Sequence, residues 1–248
     1  MMHGESPKDA RRAVSEALEG ASALSDLDEQ GRNLLVEFAL VLADEGARIG
    51  GIGIRDPVSV AELLVLESLA LPEEWRLHGM EWLVDVGSGC GIPGVPLSIV
   101  MGSAAVRLLE SSHRKADFLR RCVEHLGLHN VEVLEGRAED IGRGPEWREK
   151  FDLAVTRGAG RIAVTAEYLL PLVRVGGMAV MYKGRGWRDE LDHAASGIKM
   201  LGGEIGEARI PIEAESRYLA LVSLGKARPT PARFPRRVGV PQKTPLGT

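Results

Sequence analysis

Residues 82–94 read WLVDVGSGCGIPG, an apolar run that leads directly into four spaced glycines. Glycines at the turn from a strand to a helix let the backbone approach a ligand closely, and they leave the helix N-terminal N–H groups pointing at it. Gly89, Gly91 and Gly94 also satisfy the dinucleotide pattern G-x-G-x-x-G, and Glu110 follows about 20 residues later, as that pattern expects. The stretch therefore predicts a strand, a ligand-binding turn and a helix.

Short apolar runs alternate with amphipathic helices on the C-terminal side of this turn, and this alternation predicts a mostly parallel, doubly wound α/β sheet. One such helix is predicted over His113–Leu126, with Gly127 as its C-cap. The last two strands are joined by a short connection, which predicts an antiparallel hairpin at the end of the sheet. The predicted strands are Trp82–Val86, Val106–Glu110, Val131–Leu134, Phe151–Thr156, Met178–Lys183, Glu204–Ile212 and Arg217–Leu224.

Residues 1–75 are predicted to form a helical N-terminal cover that packs on the sheet domain, residues 76–225. Ser25 is a candidate N-cap for a helix whose apolar residues recur at helical spacing between Leu27 and Leu42. Asp56-Pro57 is a helix start signal, an N-cap followed by proline at the first helical position, and predicts a helix to about Leu71.

Composition places the chain among ordinary globular proteins. It has 248 residues, 44% hydrophobic and 27% charged, enough for one α/β domain with an appendage. Its apolar runs are shorter than the roughly 18–20 residues that span a bilayer, and no signal-peptide stretch follows its polar start. Cys90 and Cys122 suit neither a disulfide framework nor a zinc site. We therefore expect a reduced, cytoplasmic protein.

Charge is distributed unevenly along the chain. The net charge is −4, yet residues 225–248 contain six basic residues, five prolines and no acidic residue. The prolines predict an extended or turn-like tail without helix, residues 226–248. A basic tail on an acidic body is suited to contacting phosphates, and a solvated, poorly ordered terminus explains the same composition.

Asp85 distinguishes between two ligands for the glycine turn. A carboxylate two residues before the first glycine repels a pyrophosphate, which disfavours a dinucleotide and an NAD-dependent oxidoreductase. It favours a ligand with cationic groups, and S-adenosylmethionine carries an ammonium and a sulfonium. Glu110, at the end of the second strand, can accept hydrogen bonds from both ribose hydroxyls in either case.

The Asp85-x-Gly-x-Gly-x-Gly pattern, the acid that ends the second strand and the antiparallel hairpin together resemble class I S-adenosylmethionine-dependent methyltransferases, with a Rossmann-like, seven-stranded sheet. The ordered set of motifs is similar to one family within that class, the bacterial 16S rRNA guanine-N7 methyltransferases (glucose-inhibited division protein B family). The resemblance begins at about residue 34 and continues to the end of the chain. Its motifs are Asp85–Pro96, Leu109-Glu110-Ser111, Gly136–Glu139, Thr156-Arg157, Lys183-Gly184, Arg217–Leu219 and Pro235–Leu246.

The resemblance implies transfer of a methyl group from S-adenosylmethionine to N7 of one guanine in the decoding-region loop of 16S rRNA. The implied partner is 16S rRNA or the 30S subunit, with no metal and no membrane, and we expect a monomer. Arg157 and Lys183 are expected to position the target base, and no general base is expected because guanine N7 carries no proton. The expected cofactor-binding residues are Asp85, Gly87, Ser88, Gly89, Gly91, Ile92, Glu110, Ser111, Ala138, Glu139 and Arg157, and the expected RNA-binding residues are Arg217, Arg236, Arg237 and Lys243.

Two departures from the family pattern lie in the predicted cover. The family commonly has Asn-Leu-Thr where this chain has Gly51-Ile52-Gly53, and a histidine where it has Leu64. Both departures bear on the substrate more than on the cofactor. They leave open a class I methyltransferase acting on another RNA or a small molecule, and a methyltransferase-like protein that binds rRNA without catalysis.

Overall fold

The computed structural model describes residues 6–75 and 80–247. Three groups of residues lie outside this description: residues 1–5 of the predicted cover, residues 76–79 at its predicted boundary with the sheet domain, and Thr248 of the predicted tail.

Seven strands form one sheet, which confirms the predicted strands to within a few residues except at the start of the fifth. They are β1 (Trp82–Val86), β2 (Ala105–Glu110), β3 (Val131–Glu135), β4 (Phe151–Arg157), β5 (Val173–Lys183), β6 (Gly203–Glu213) and β7 (Tyr218–Lys226). The spatial order is β3-β2-β1-β4-β5-β7-β6. β1 to β5 pair in parallel, whereas β7 runs antiparallel to both β5 and β6. The parallel sheet and its terminal hairpin are confirmed.

Helices connect the strands and cover the sheet. The helix predicted after β2 is confirmed, and Gly127 follows it with a left-handed φ of +63°. None of the described helices combines the length and apolar composition that a bilayer crossing requires. The α-helices are α1 (Pro7–Leu18), α2 (Glu29–Val41), α3 (Pro57–Val60), α4 (Leu66–Ser68), α5 (Gly94–Val100), α6 (His113–His125), α7 (Ala138–Ile141), α8 (Ile162–Leu169), α9 (Trp187–Met200) and α10 (Val240–Lys243).

The described part of residues 1–75 is helical. The cap of α2 is Asp28, whose side chain accepts from the N–H of Gly31 at 2.7 Å, so the prediction of Ser25 is wrong. Ser25 instead ends a short 3-10 turn, and Asp28 is the capping residue placed directly before the helix. Asp56 is confirmed as a cap, accepting from the N–H of Ser59 at 2.8 Å.

Two apolar clusters cover the two faces of the sheet. One joins cover residues such as Phe38 and Leu42 to Leu83 and Leu108 of the sheet, all fully buried. The other includes Phe234 of the basic tail, which is 4% exposed. The tail is therefore packed on the body and is not a poorly ordered terminus. The prediction that it contains no helix is also wrong, because proline at the first turn is compatible with the short helix α10.

Candidate active site

The glycine turn connects β1 to α5 at the carboxyl edge of the parallel strands. Gly87, Gly89 and Gly91 have φ values of +73°, +59° and +93°, a region that L side chains rarely adopt. A side chain at Gly91 would also clash sterically, because its Cβ would lie 2.6 Å from Cγ2 of Val95. The predicted strand, turn and helix are confirmed.

Asp85 lies beneath this turn and is fully buried. Its Oδ2 accepts from the N–H of Gly94 at 2.9 Å, which connects the end of β1 to the first residue of α5. Within the described residues, Oδ1 has no hydrogen-bond partner. Burial raises the pKa of Asp85 to about 7. The carboxyl thus supports the turn from below, and its direct contact with a cofactor stays a prediction.

Glu110 ends β2 beside the same turn and is 6% exposed. Its Oε2 accepts from the N–H of Gly89 at 2.9 Å, and its Oε1 accepts from the N–H of Ser112 at 2.7 Å. Two backbone donors therefore hold the carboxylate at the carboxyl end of β2, and its contact with a ribose stays a prediction. Ser111, next in the chain, is exposed and accepts from Arg137 Nη1 at 3.4 Å.

A cleft of about 380 Å³ opens above the turn. The cover contributes one wall, the glycine turn another, and Lys115 of α6 and the end of β4 the remainder. Five of the predicted cofactor residues line it together: Gly87, Ser88, Gly89, Ile92 and Arg157. The expected cofactor fits this cleft, because glycine backbone and apolar side chains form much of its walls and the Glu110 carboxylate is held beside the turn.

Both departures from the family pattern lie in this cleft. Residues 50–54, here called the cover loop, lie across the glycine turn, and Gly51, Gly53 and Leu64 all line the cleft. A Cβ on Gly51 would overlap the Sγ of Cys90, whereas a Cβ on Gly53 would meet no atom within 4 Å. Because the cover loop contacts the turn directly, these residues shape the cofactor side of the cleft as well as the substrate side.

Arg157 extends from the end of β4 towards the cover. Its Nη2 donates to Glu67 Oε2 at 2.6 Å and to the carbonyl of Leu63 at 3.2 Å. Arg217, just before β7, donates from Nε to the other oxygen of Glu67 at 2.8 Å. Sequence reasoning missed Glu67, although a carboxylate in the apolar run VAELLVLESLAL was a signal that this residue has a partner.

The cleft is lined by Lys115, which was not predicted to belong to the site, and not by Lys183, which was. Lys183, at the end of β5, donates to Glu190 Oε2 at 2.7 Å and to the carbonyl of Gly160 at 2.9 Å, and it is not among the residues that line the cleft. Lys115, on a helix rich in charge, lines the cleft. Within the described residues, the structure therefore brings Arg157 and Lys115 together there.

Two further predicted cofactor-binding residues, Ala138 and Glu139, begin α7. Glu139 is 1% exposed, and its Oε1 accepts from the N–H of Gly239 in the tail at 2.9 Å. A second buried tail contact joins Arg236 to the fully buried Glu167, with Nη2 2.6 Å from Oε2.

The four predicted RNA-binding residues differ in their surroundings. Arg217 and Arg236 each have a carboxylate partner within the protein, whereas Arg237 and Lys243 are exposed. The predicted roles of all four in binding RNA stay predictions.

The chain is similar to known proteins in sequence and in fold. Residues 32–211 match the model of the family GidB, rRNA small subunit methyltransferase G. Two relatives are named ribosomal RNA small subunit methyltransferase G. The protein from Moorella thermoacetica is 41% identical over 86% of this chain and 89% of its own length. The protein from Rubrobacter xylanophilus is 42% identical over 86% of this chain and 83% of its own length. Among solved structures, the E81Q mutant of MtNAS in complex with S-adenosylmethionine aligns with a TM-score of 0.51 at 18% identity, over 89% of each chain. That likeness concerns the fold.

Proposed function

The chain belongs to the GidB family, rRNA small subunit methyltransferase G, and on that premise we propose that it transfers a methyl group from S-adenosylmethionine to N7 of a guanine in 16S rRNA. The observation that carries the proposal is the cleft above the glycine turn. There the glycine turn and Arg157 line one cleft at the carboxyl edge of the sheet, and the N–H of Gly89 holds the Glu110 carboxylate against the turn.

The cofactor supplies an electrophilic methyl group on a sulfonium. Glu110 binds the ribose by accepting from its hydroxyls, and the loop from Gly87 to Gly91 lies against the rest of the ligand with backbone rather than side chains. Ala138 and Glu139 border the adenine end. The cover loop and Ile92 exclude water from the methyl group.

The acceptor needs orientation rather than activation. Guanine N7 already offers a lone pair, so the protein has to hold it in line with the methyl group at about 3–3.5 Å. Arg157 suits this task because its side chain lines the cleft and is 23% exposed, while its Nη2 is held by Glu67. Its donors bind guanine O6 or a phosphate, since a donor at N7 would compete for the lone pair. Lys183, the other residue predicted to position the base, is not among the residues that line the cleft and donates to Glu190.

The proposed function also includes the surface that contacts RNA, the domain boundaries and the cellular location. The RNA surface continues from Arg217 to the exposed Arg237 and Lys243 of the tail, and the substrate is 16S rRNA or the 30S subunit. The helical cover, residues 1–75, forms one side of the site, and the catalytic domain and tail are residues 76–225 and 226–248. Because the nucleophile needs no activation, we expect the reaction to need no metal. We also expect the protein to act as a monomer in the cytoplasm.

The test is transfer of labelled methyl from S-adenosylmethionine to 30S subunits that lack the modification, followed by nucleoside analysis. Label recovered as 7-methylguanosine at a single 16S position is the expected result. Label in another nucleoside, or at several positions, would contradict the assigned acceptor. Absence of label with cofactor binding still measurable would instead favour a binding-only protein.

A further inference from the structure

We propose that Glu67 is a positioning residue for methyl transfer, whose carboxylate holds Arg157 in the orientation that the target guanine requires. The inference rests on the proposed function. It concerns three residues, Glu67, Arg157 and Arg217, here called the arginine clamp.

The geometry of the arginine clamp is specific. Each oxygen of Glu67 takes one guanidinium, Oε2 that of Arg157 at 2.6 Å and Oε1 that of Arg217 at 2.8 Å. The Glu67 side chain is only 8% exposed, and that of Arg157 is 23% exposed. Charge-assisted hydrogen bonds of this length in a partly dry site are strong and directional. Glu67 therefore sets both the position and the rotation of the Arg157 guanidinium.

The surrounding backbone leaves Glu67 little freedom. It follows the π-helical turn Ala61–Val65, a geometry that is frequent at functional sites. The carbonyl of the next residue, Ser68, accepts from Tyr182 Oη at 2.6 Å. The carboxylate is thus connected to the end of β4 and to the residue before β7, while the adjacent backbone is held by the end of β5.

The electrostatics explain why a carboxylate is needed. Two guanidiniums share one carboxylate, so the arginine clamp carries a net charge of +1, and its Arg157 lines the cleft. Without the carboxylate charge, the two like charges repel each other and Arg157 loses its strongest partner. The Arg157 guanidinium, which lines the cleft and is assigned to the guanine, then loses its direction as well.

The experiment measures kcat and KM for 30S subunits at saturating S-adenosylmethionine, per mole of folded enzyme. Glu67→Gln keeps the shape and removes the charge, and Glu67→Asp keeps the charge and withdraws the oxygens by about 1.5 Å. The matched control is Glu73→Gln, which removes an exposed carboxylate from the same cover. Thermal unfolding confirms that each variant is folded at the assay temperature.

We expect kcat of Glu67→Gln to fall on the order of tenfold to a hundredfold, since a misplacement of about 1 Å can cost a hundredfold, while KM changes by less than about threefold. Glu67→Asp should recover part of that loss, and Glu73→Gln should match the wild type. A Glu67→Gln kcat within about twofold of the wild type overturns the proposal, as does a loss confined to KM. If Glu67→Gln does not fold, an Asp variant with the full wild-type kcat overturns it. A wild-type protein that methylates nothing refutes the proposed function instead.

Discussion

Replacing Gly51 by alanine would put a methyl group where the thiol of Cys90 already lies. The Cβ would overlap Sγ, while its next contacts, the carbonyl of Gly46 at 3.4 Å and Cys90 Cβ at 3.5 Å, are close to ordinary van der Waals distances. The clash is therefore with one atom. Either the cover loop moves away from the glycine turn or the buried thiol moves into the core, and Cys90 is only 3% exposed.

The magnitude follows from these contacts. Overpacking of this kind costs about 1–3 kcal/mol of unfolding free energy. Cys90→Ala alone loses a small buried group, at a cost of about 1 kcal/mol. Because that substitution also removes the clashing atom, the double variant Gly51→Ala/Cys90→Ala should be more stable than Gly51→Ala by about 1 kcal/mol, even though it has lost more of the core.

Urea denaturation of the wild type, both single variants and the double variant measures this coupling, and calorimetric titration with S-adenosylmethionine reports on the cleft. The affinity should fall in Gly51→Ala and recover in part in the double variant. Gly53→Ala is the control, since its Cβ has open space and should change stability by no more than about 0.5–1 kcal/mol. A Gly51→Ala variant as stable as Gly53→Ala, or a double variant no more stable than Gly51→Ala, would refute the reasoning.

Three further outcomes are expected. Burial raises the pKa of Asp85 to about 7, so the folded protein keeps a proton that the unfolded chain releases, and stability falls as the pH rises from about 4 to about 7. In Asp85→Asn this fall in stability with pH should be lost. Urea denaturation at about pH 5 and about pH 8 measures it, and an unchanged pH dependence of stability contradicts the raised pKa of Asp85. Arg236→Ala leaves the fully buried Glu167 unpaired and should lower the unfolding free energy by about 3–5 kcal/mol in the same assay, whereas a loss below about 1 kcal/mol would mean that the pair is dispensable. Arg237→Ala and Lys243→Ala should each reduce the salt dependence of 30S binding by about one unit of slope with cofactor affinity unchanged, and an unaltered slope excludes a phosphate contact.

Sequence reasoning works well here for features that depend on local patterns. The strands follow from apolar runs, and the turn at Gly87 from the conformations that only glycine adopts easily. The cap at Asp28 shows the limit of local patterns, because Ser25, Asp26 and Asp28 are all capping residue types within four positions. Only the packing of the 3-10 turn before α2 selects among them.

Pairings across long separations are harder to predict. Glu67 and Arg217 are 150 residues apart in the chain, and Glu167 and Arg236 are 69 apart. Charged residues are mostly exposed, so a buried and paired one is predicted to be solvated as long as its partner is unknown. The same reason explains the tail, in which prolines and basic residues suggested exposure while contacts with buried carboxylates on the body hold it in place.

These tail contacts also determine when the protein can complete its folding during synthesis. Glu139 and Glu167 are translated well before Gly239 and Arg236, and domains form as the chain emerges from its N-terminus. A nascent chain that stops short of the tail has to bury Glu139 and Glu167 without the tail donors that bind them, and such groups oppose burial. We therefore expect the tail contacts to stabilise the domain only once its last residues have been synthesised.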